Sequence, residues 1–157
     1  MTTNTAGTGD MHLQLDGFVT FRLADQWLGI PVVLVQEVLV AQQVSPIPLS
    51  PNEVAGFLNL RGQIVTAIEL RARLGLPPRD GGEVMNVVVR DDDELFSLIV
   101  DEVGDVVEVG MNEVEPTPQT LDALWRECSF GVIKLERGLL VVLDVDKVVR
   151  SAASQAA

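Results

Sequence analysis

The feature that most constrains the fold of this chain is its series of short, valine-rich runs separated by turn-forming residues. Between Val19 and Leu23, apolar side chains alternate with Thr20 and Arg22, and a second run begins at Trp27. Alternation over a few residues is typical of a strand with one buried face. Aromatic residues make up only 4% of the chain, and the excess of β-branched side chains favours strands over helices. The sequence therefore predicts a mainly β fold.

Further runs are predicted to be strands because each alternates or forms a short apolar stretch: residues 57–60, 64–68, 85–89, 96–100, 103–109, 130–135 and 139–143. Residues 32–38 fit either a strand or a helix, and we favour one or two helical turns after Pro31. Three prolines within residues 44–51 exclude a central strand, so this segment is predicted to be an extended connector or edge.

Turns and helices are also marked in the sequence. Arg61-Gly62-Gln63 predicts a tight hairpin turn, with Gly62 adopting a positive φ and Arg61 presented at the turn. Further turns are predicted at residues 91–93 and 137–138. Three short helices are expected: residues 69–74, ended by Gly75; residues 117 or 119 to 128; and a final helix from Asp144.

Two successive sets of about five short strands, each followed by a helical stretch, favour two small barrels over a parallel α/β sheet. We place the boundary between the barrels near residue 80, in a polar loop. Each barrel alone would have too small a core, so the two are expected to pack as one domain over residues 17–150. Residues 1–16 are predicted to be a disordered tail and residues 151–157 a frayed C-terminal tail.

Charge and cysteine content exclude several partners and compartments. The formal net charge of -12 would repel nucleic acids and anionic membrane surfaces. No apolar run approaches the roughly 18 residues of a membrane-spanning helix, so direct membrane insertion is not expected. Cys128 is the only cysteine, which permits no intramolecular disulfide and fits a reducing cytoplasm.

The residues that usually carry catalysis are scarce. The single histidine, His12, falls in the predicted tail, and no phosphate-binding glycine motif occurs, which argues against hydrolases, kinases and ATPases. The acidic residues 91–94 fit a solvated turn better than a Ca²⁺ or Mg²⁺ site, because consecutive side chains point in different directions. No metal or cofactor is predicted. A small acidic enzyme that uses Asp101, Glu102 or Asp105 as an acid or base is an alternative hypothesis.

One segment closely resembles a known family. Asn59-Leu60-Arg61-Gly62, within residues 57–71, matches the N-L-R-G block of CheW-like domains. Residues 18–23, 29–31 and 35–38 match the family's opening strands and its V-x-E-[IV] segment, and residues 100–106 and 131–144 match its second half. The resemblance covers residues 17–150. It implies a fold of two packed, five-stranded SH3-like barrels with a few short helices, in agreement with the strand count from the residues themselves.

The resemblance also implies a function. Such a chain would be a non-enzymatic adaptor that couples methyl-accepting chemoreceptors to a CheA-type histidine kinase in bacterial chemotaxis. One barrel would pack on the kinase, and the groove between the barrels would take the helical tip of a receptor. Other CheW-like domains in array rings are further expected partners. We expect a cytoplasmic protein that is recruited to membrane-associated receptor arrays.

Six residues are carried over as an interface with receptor or kinase: Val32, Val35, Glu37, Asn59, Arg61 and Gly62. Arg61 offers a planar guanidinium for a helix-tip carboxylate or carbonyl, and Glu37 is expected to hold it in place. As a mere surface ion pair, the two would contribute only about 0–1 kcal/mol to stability. Val32 and Val35 fit an apolar anchor and ordinary core packing equally well.

The sequence departs from the family pattern at Ala55, Leu58 and Glu69, and Thr66-Ala67 stands where a proline is usual. These changes do not threaten the fold, but they leave the identity of the partners open, since a few residues can reset specificity. An adaptor for another chemosensory kinase pathway, such as surface motility or development, is therefore an alternative to chemotaxis.

Overall fold

The computed structural model describes residues 17–156, with side chains described for residues 17–150. Its strands are β1 (Phe18–Leu23), β2 (Gln26–Pro31), β3 (Val35–Val40), β4 (Val54–Leu60), β5 (Gln63–Glu69), β6 (Met85–Asp91), β7 (Glu94–Val100), β8 (Glu102–Val107), β9 (Ser129–Leu135) and β10 (Gly138–Leu143). Its helices are α1 (Leu70–Arg73), α2 (Ala123–Cys128) and α3 (Val145–Ala156), with 3₁₀ turns at Val32–Leu34 and Met111–Glu113.

The ten strands form two five-stranded sheets. Sheet A has the order β8-β1-β2-β10-β9, and sheet B has the order β3-β6-β7-β5-β4. Most neighbours are antiparallel, but β2 runs parallel to β10 and β5 runs parallel to β7. The predicted mainly β fold, with two five-stranded sheets and short helices, is confirmed.

The predicted boundary near residue 80 needs correction, because each sheet takes strands from both sides of it. The first half, β1 to α1, and the second half, β6 to α3, have the same topology. Each half gives its first hairpin to one sheet and its next three strands to the other sheet. Residue 80 thus separates two equivalent halves of the chain, whereas the sheets are built by exchange between the halves.

Each sheet is curled so that an extended connector reaches its far edge. The connector after β3 pairs Ser45 with Phe57 of β4, and the connector after β8 pairs Glu115 with Val132 of β9. A glycine precedes the paired residue in both strands. A Cβ atom at Gly56 would clash with the backbone oxygen of Ser45, and one at Gly131 would lie 2.5 Å from that of Glu115. Both sites therefore need glycine so that two backbones can pass closely.

Three apolar clusters form the core. One lies on the inner face of sheet B around Leu58, Val65 and Ile99, and one on sheet A around Phe18 and Leu140. The largest packs the two sheets together and contains Phe21, Leu28, Phe96, Leu98, Trp125 and Val148, among others. Successive residues of β7 alternate between the sheet B cluster and the shared cluster, which explains why this strand is buried on both faces.

The prediction of helix for residues 32–38 is wrong beyond its first turn. Val32–Leu34 form a single 3₁₀ turn after Pro31, but Val35–Val40 is the edge strand β3. This strand pairs with β6, with a bulge between Val35 and Glu37. Its β-branched side chains fit a pleated surface, and the long-range pairing decides what the local sequence leaves open.

Helix α2 begins later than predicted. Residues 117–122 are not helical, because Thr117 precedes Pro118 and a residue before proline avoids the helical region. The Thr117 hydroxyl instead lies 2.9 Å from that of Ser129. Two predicted turns also shift by one residue: Asp91 ends β6 and Gly138 begins β10.

The remaining local predictions agree with the structure. Residues 41–53 form a connector, and Gly75 follows α1 with a φ of 76°. The backbone of α3 continues through Ala156 and so extends into the segment predicted to fray. The predicted tail at residues 1–16, with His12, lies outside the described residues. Within the described part of the chain, no helix is long and apolar enough to cross a membrane.

Candidate functional site

The hairpin between β4 and β5 ends in a two-residue turn made by Arg61 and Gly62. Leu60 pairs with Gln63, and the turn residues have φ values of 51° and 86°. Positive φ at both central positions is typical of a type I′ turn, which matches the twist of the flanking strands. The prediction for Gly62 is confirmed, and Arg61 shares its left-handed conformation. A non-glycine residue held in this region costs about 1–2 kcal/mol, so neighbouring contacts must stabilise it.

Two such contacts are present. The side-chain oxygen of Asn59 accepts a hydrogen bond of 2.9 Å from the backbone N–H of Gly62. The guanidinium of Arg61 forms an ion pair with the carboxylate of Glu37, which lies on β3 at the opposite edge of sheet B. The predicted Glu37–Arg61 pair is therefore present, and it spans the seam where the edges of the curled sheet approach each other.

The arrangement leaves Arg61 available to a partner. Its side chain is 69% exposed, whereas that of Glu37 is only 22% exposed. Glu37 is thus the more buried residue of the pair, and the guanidinium of Arg61 is the group that solvent or a partner can reach. The planar fork can keep Glu37 on one side and still offer donors to an incoming carboxylate or carbonyl.

The two valines of the predicted interface lie next to this cluster in the chain. Val32 opens the 3₁₀ turn, and Val35 begins β3 two residues before Glu37. Both are half-buried, and Val35 packs against the shared core cluster. The structure joins Glu37, Arg61 and the Asn59–Gly62 turn through an ion pair and a hydrogen bond, in which neither valine takes part.

Sequence reasoning missed the exposed apolar residues around this site. Ile64, which pairs with Asn59 across the hairpin, is 63% exposed, and Val38 and Val40 point outward from β3. Val33 is also exposed. If residues 35–40 are assigned as a strand, alternation places Val38 and Val40 on the face opposite to Glu37 and Leu39. The exposure of the two valines could have been predicted from that pattern. Exposed apolar side chains beside a presented guanidinium are typical of a protein-binding surface.

A second polar cluster, also missed, lies at the junction of the two sheets and is centred on Asp101. This carboxylate accepts hydrogen bonds from the Ala24 backbone N–H (2.8 Å), from Arg71 (Nε, 3.0 Å) and from Arg79 (Nη2, 3.0 Å). Arg79 also forms two hydrogen bonds with Glu69, at 2.7 and 3.0 Å. The cluster joins the β1–β2 turn of sheet A to β5, α1 and the following loop.

These contacts decide the enzyme hypothesis. Burial alone would raise the pKa of Asp101, but the hydrogen bonds from Arg71, Ala24 and Arg79 outweigh it and hold that pKa well below its usual range. A general acid needs a pKa near the working pH, so Asp101 is a structural ion-pair residue. Glu102 is exposed and pairs with Arg22 at 2.9 Å, and the side chain of Asp105 is also exposed. The geometry around these three residues therefore gives no support to the hypothesis of an acidic enzyme.

The acidic residues of the β6–β7 turn and the cysteine Cys128 are also described by the structure. Asp92 and Asp93 form the exposed β6–β7 turn, both with positive φ. Within the described residues, no cluster of three or more His, Cys, Asp or Glu side chains is arranged to hold a metal ion. The thiol of Cys128 is buried in the shared core, and this burial raises its pKa to about 11.

Comparison with known proteins gives a consistent result. Residues 17–153 match the CheW-like domain family. The chain is 32% identical to the chemotaxis protein CheW of Treponema pallidum, over 87% of this chain and 84% of that protein. It is 30% identical to the chemotaxis protein CheW of Klebsiella aerogenes, over 85% of this chain and 81% of that protein.

A solved structure agrees with these sequence matches. The crystal structure of the scaffolding protein TtCheW from Thermoanaerobacter tengcongensis superposes with a TM-score of 0.74 at 28% identity, covering 82% of this chain and 88% of that one. Sequence, topology and superposition thus lead to one conclusion. The chain belongs to the CheW-like domain family, and its function is that of a non-enzymatic chemotaxis scaffolding protein.

Proposed function

We propose that this scaffold couples methyl-accepting chemoreceptors to a CheA-type histidine kinase, and that the hairpin tip at Arg61 is its receptor contact. The observation that carries the proposal is the exposed guanidinium of Arg61, held at a type I′ turn by Glu37 and Asn59. A donor fork fixed in this way loses little conformational freedom when a partner binds.

The chemistry of the surface suits the tip of a receptor's helical hairpin. Helix ends present carbonyl oxygens, and their flanks carry carboxylates, both of which accept hydrogen bonds from a guanidinium. The exposed Ile64 and Val38 offer apolar area beside Arg61, as a helix face would need. In this proposal, Val32 and Val35 extend the apolar part of the contact, and Asn59 and Gly62 hold the turn in shape.

The kinase and the location of the protein are part of the same proposal. A kinase regulatory domain would pack on one curled sheet, and other CheW-like domains would extend the assembly into a ring. The protein would act in the cytoplasm at membrane-associated receptor arrays. Its mechanism would be geometric: by binding two receptor states unequally, it would transmit a coupling free energy to the kinase.

A three-component reconstitution tests this function. Receptor in membranes, kinase and this chain are combined, and autophosphorylation of the kinase is measured as the chain is titrated. We expect kinase activity to depend on the chain only when receptor is present, and we expect Arg61→Ala to need at least about tenfold more protein for the same activity.

The second half of the chain supplies a matched control. Arg137 lies at the exposed turn of the equivalent hairpin, β9–β10, so Arg137→Ala removes the same side chain from the corresponding turn, where the arginine is not held at positive φ. This variant should titrate like the wild type. Kinase activity that ignores the added chain would overturn the coupling function, and equal loss in both variants would overturn Arg61 as the specific contact.

A further inference from the structure

A groove beside the N-terminal end of α3 combines an apolar floor with a carboxylate rim. Its floor includes Met111 and Phe130, which are 43% and 52% exposed, together with the half-buried Leu34. Its rim carries Asp91, Asp144 and Asp146. We call it the α3 groove. None of its lining residues belongs to the Arg61 hairpin tip, and neither the coupling chemistry nor the core accounts for its two exposed, bulky side chains.

The carboxylates of the rim are poorly compensated. Arg150 lies 3.1 Å from Asp91, 2.6 Å from Asp92 and 2.9 Å from Asp146, so one guanidinium serves three carboxylates. Asp91 Oδ2 is buried, yet it receives no hydrogen bond of acceptable geometry from the described residues. Burial and the negative charge of Asp146 raise the pKa of Asp91.

At the equivalent place beside α1, every charged group has a partner. There, Arg71 of α1 and Arg79 serve the carboxylates Asp101 and Glu69, with every group hydrogen-bonded. Arg71 and Asp146 occupy the same position, the second residue of the helix that follows the last strand of each half. A cation in the first half is thus replaced by an anion in the second, which leaves the α3 groove short of positive charge.

We propose that the α3 groove is a docking site for a second partner protein, whose segment presents a lysine or arginine next to a large apolar side chain. The apolar side chain would cover Met111 and Phe130, and the cation would pair with Asp91 and Asp146. Asp144 contributes less, because its side chain already accepts a hydrogen bond of 3.3 Å from the backbone N–H of Lys147.

Charge favours a foreign protein over other occupants of the groove. A second copy would bring a further net charge of -12 to an acidic rim, which opposes self-association. Residues 1–16 of the same chain contain two aspartates and no lysine or arginine, so they lack the cationic side chain that the proposal requires. Complementary charge is expected to steer a basic segment toward the groove.

A small-molecule probe tests the chemistry of the groove directly. The protein is titrated with hexylguanidinium and, separately, with hexylurea, an uncharged compound of the same shape. ¹H–¹⁵N NMR spectra are recorded at each step. We expect hexylguanidinium to shift the amide signals around Asp91, Met111 and Phe130. It should bind at least about tenfold more tightly than hexylurea, because only the cation can pair with the rim.

Two variants make the test specific. Asp146→Asn should remove most of the preference for hexylguanidinium over hexylurea, and higher salt should reduce that preference. Asp93→Asn, which changes an exposed acid in the adjacent turn, is the control and should have no effect. The spectra also report whether each variant is folded. Equal binding of the two probes, no binding of either, or signal shifts elsewhere would overturn the proposal. Concentration-dependent self-association that Asp146→Asn abolishes would reassign the groove to a second copy. None of these results depends on receptor or kinase.

Discussion

The two halves of the chain, residues 18–73 and 85–156, share one topology but differ in what they present at equivalent places. Both use a glycine where a connector crosses an edge strand. Both also tie their helix to the turn of their own first hairpin, through Asp101 at α1 and by a direct ion pair between Arg150 and Asp92 at α3. The first half ends its β4–β5 hairpin with a left-handed Arg61-Gly62 turn and a closing ion pair. The second half has no positive φ at Glu136 or Arg137.

This difference separates what holds the fold from what serves function. The features common to both halves are backbone crossings and polar contacts between a helix and a hairpin turn, which hold this topology together. The features confined to one half are exposed: the guanidinium of Arg61 in the first, and in the second the acidic rim of the α3 groove, which Arg150 compensates only in part. Equivalent positions in the two halves can therefore be compared directly. A residue that has no counterpart in the other half is a candidate for a specific role.

The largest expected effect comes from the buried polar cluster centred on Asp101. Asp101→Asn removes a buried charge that Arg71 and Arg79 share, and breaking such a cluster should lower the free energy of unfolding by about 3–5 kcal/mol. Urea denaturation followed by the fluorescence of the two tryptophans measures this change. Asp105→Asn, at an exposed carboxylate, is the control and should change stability by less than about 0.5 kcal/mol.

The same variant predicts a change with pH. The pKa of Asp101 is lower in the folded protein than its usual value of about 3.9 in an unfolded chain. The ionised carboxylate therefore stabilises the folded state at any pH above about 4. This contribution is lost as the pH falls below about 4. The wild type should therefore lose stability in acid more steeply than Asp101→Asn, and parallel pH profiles would contradict the account.

Gly56 and Gly131, where a connector passes close to an edge strand, test whether the two halves are equivalent. Alanine at Gly131 or at Gly56 would place a Cβ against a backbone carbonyl, so each variant should lose about 2–3 kcal/mol. Gly56→Ala should be the worse, since its φ of 146° adds conformational strain. Gly82→Ala, with positive φ but open surroundings, isolates the strain and should cost about 1 kcal/mol. A small effect at only one crossing glycine would break the equivalence of the halves.

The connectors of the two halves provide a smaller contrast. Leu49, in the first connector, has a φ of 62° and a fully exposed side chain, whereas described residues 108–122 include no non-glycine residue with positive φ. Asparagine tolerates this conformation better than leucine. Leu49→Asn should therefore stabilise the protein by up to about 1 kcal/mol, measured as a shift of the urea midpoint at constant slope. Destabilisation would show that the leucine makes a contact that its exposure conceals.

The smallest expected effect concerns Asp91 at the rim of the α3 groove, and it has the opposite sign to that at Asp101. The pKa of Asp91 is raised in the folded state by burial and by Asp146, so its charge costs stability at neutral pH. Asp91→Asn should raise the free energy of unfolding at pH 7, and this gain should vanish as the pH falls below about 4. Loss of stability at pH 7 would mean that the Arg150 pair outweighs the burial.

Much of this architecture follows from local sequence. The strands, the Arg61-Gly62 turn, the proline-rich connector and the glycine after α1 could be predicted, because alternation, positive φ and missing backbone donors act over a few residues. The N-L-R-G segment located the hairpin tip, and Glu37 was correctly placed opposite Arg61.

Long-range pairing accounts for what could not be predicted. The exchange of the β1–β2 and β6–β7 hairpins between the halves leaves no local signal, so the sequence predicts two sheets from successive halves. For the same reason it predicts a helix where Val35–Val40 forms an edge strand. The same holds for Asp101, which meets Arg71 and Arg79 across 30 and 22 positions of the chain. Only the completed topology brings these charges together.

The central claim is that the first half carries a receptor contact that its counterpart in the second half lacks. The most direct test measures the affinity of wild type, Arg61→Ala and Arg137→Ala for a receptor cytoplasmic fragment. The account predicts that Arg61→Ala raises Kd about 30-fold, as expected when a truncated arginine hot spot costs about 2 kcal/mol, while Arg137→Ala stays within about twofold of wild type. Unchanged affinity for folded Arg61→Ala, or an equal loss in both variants, would contradict it.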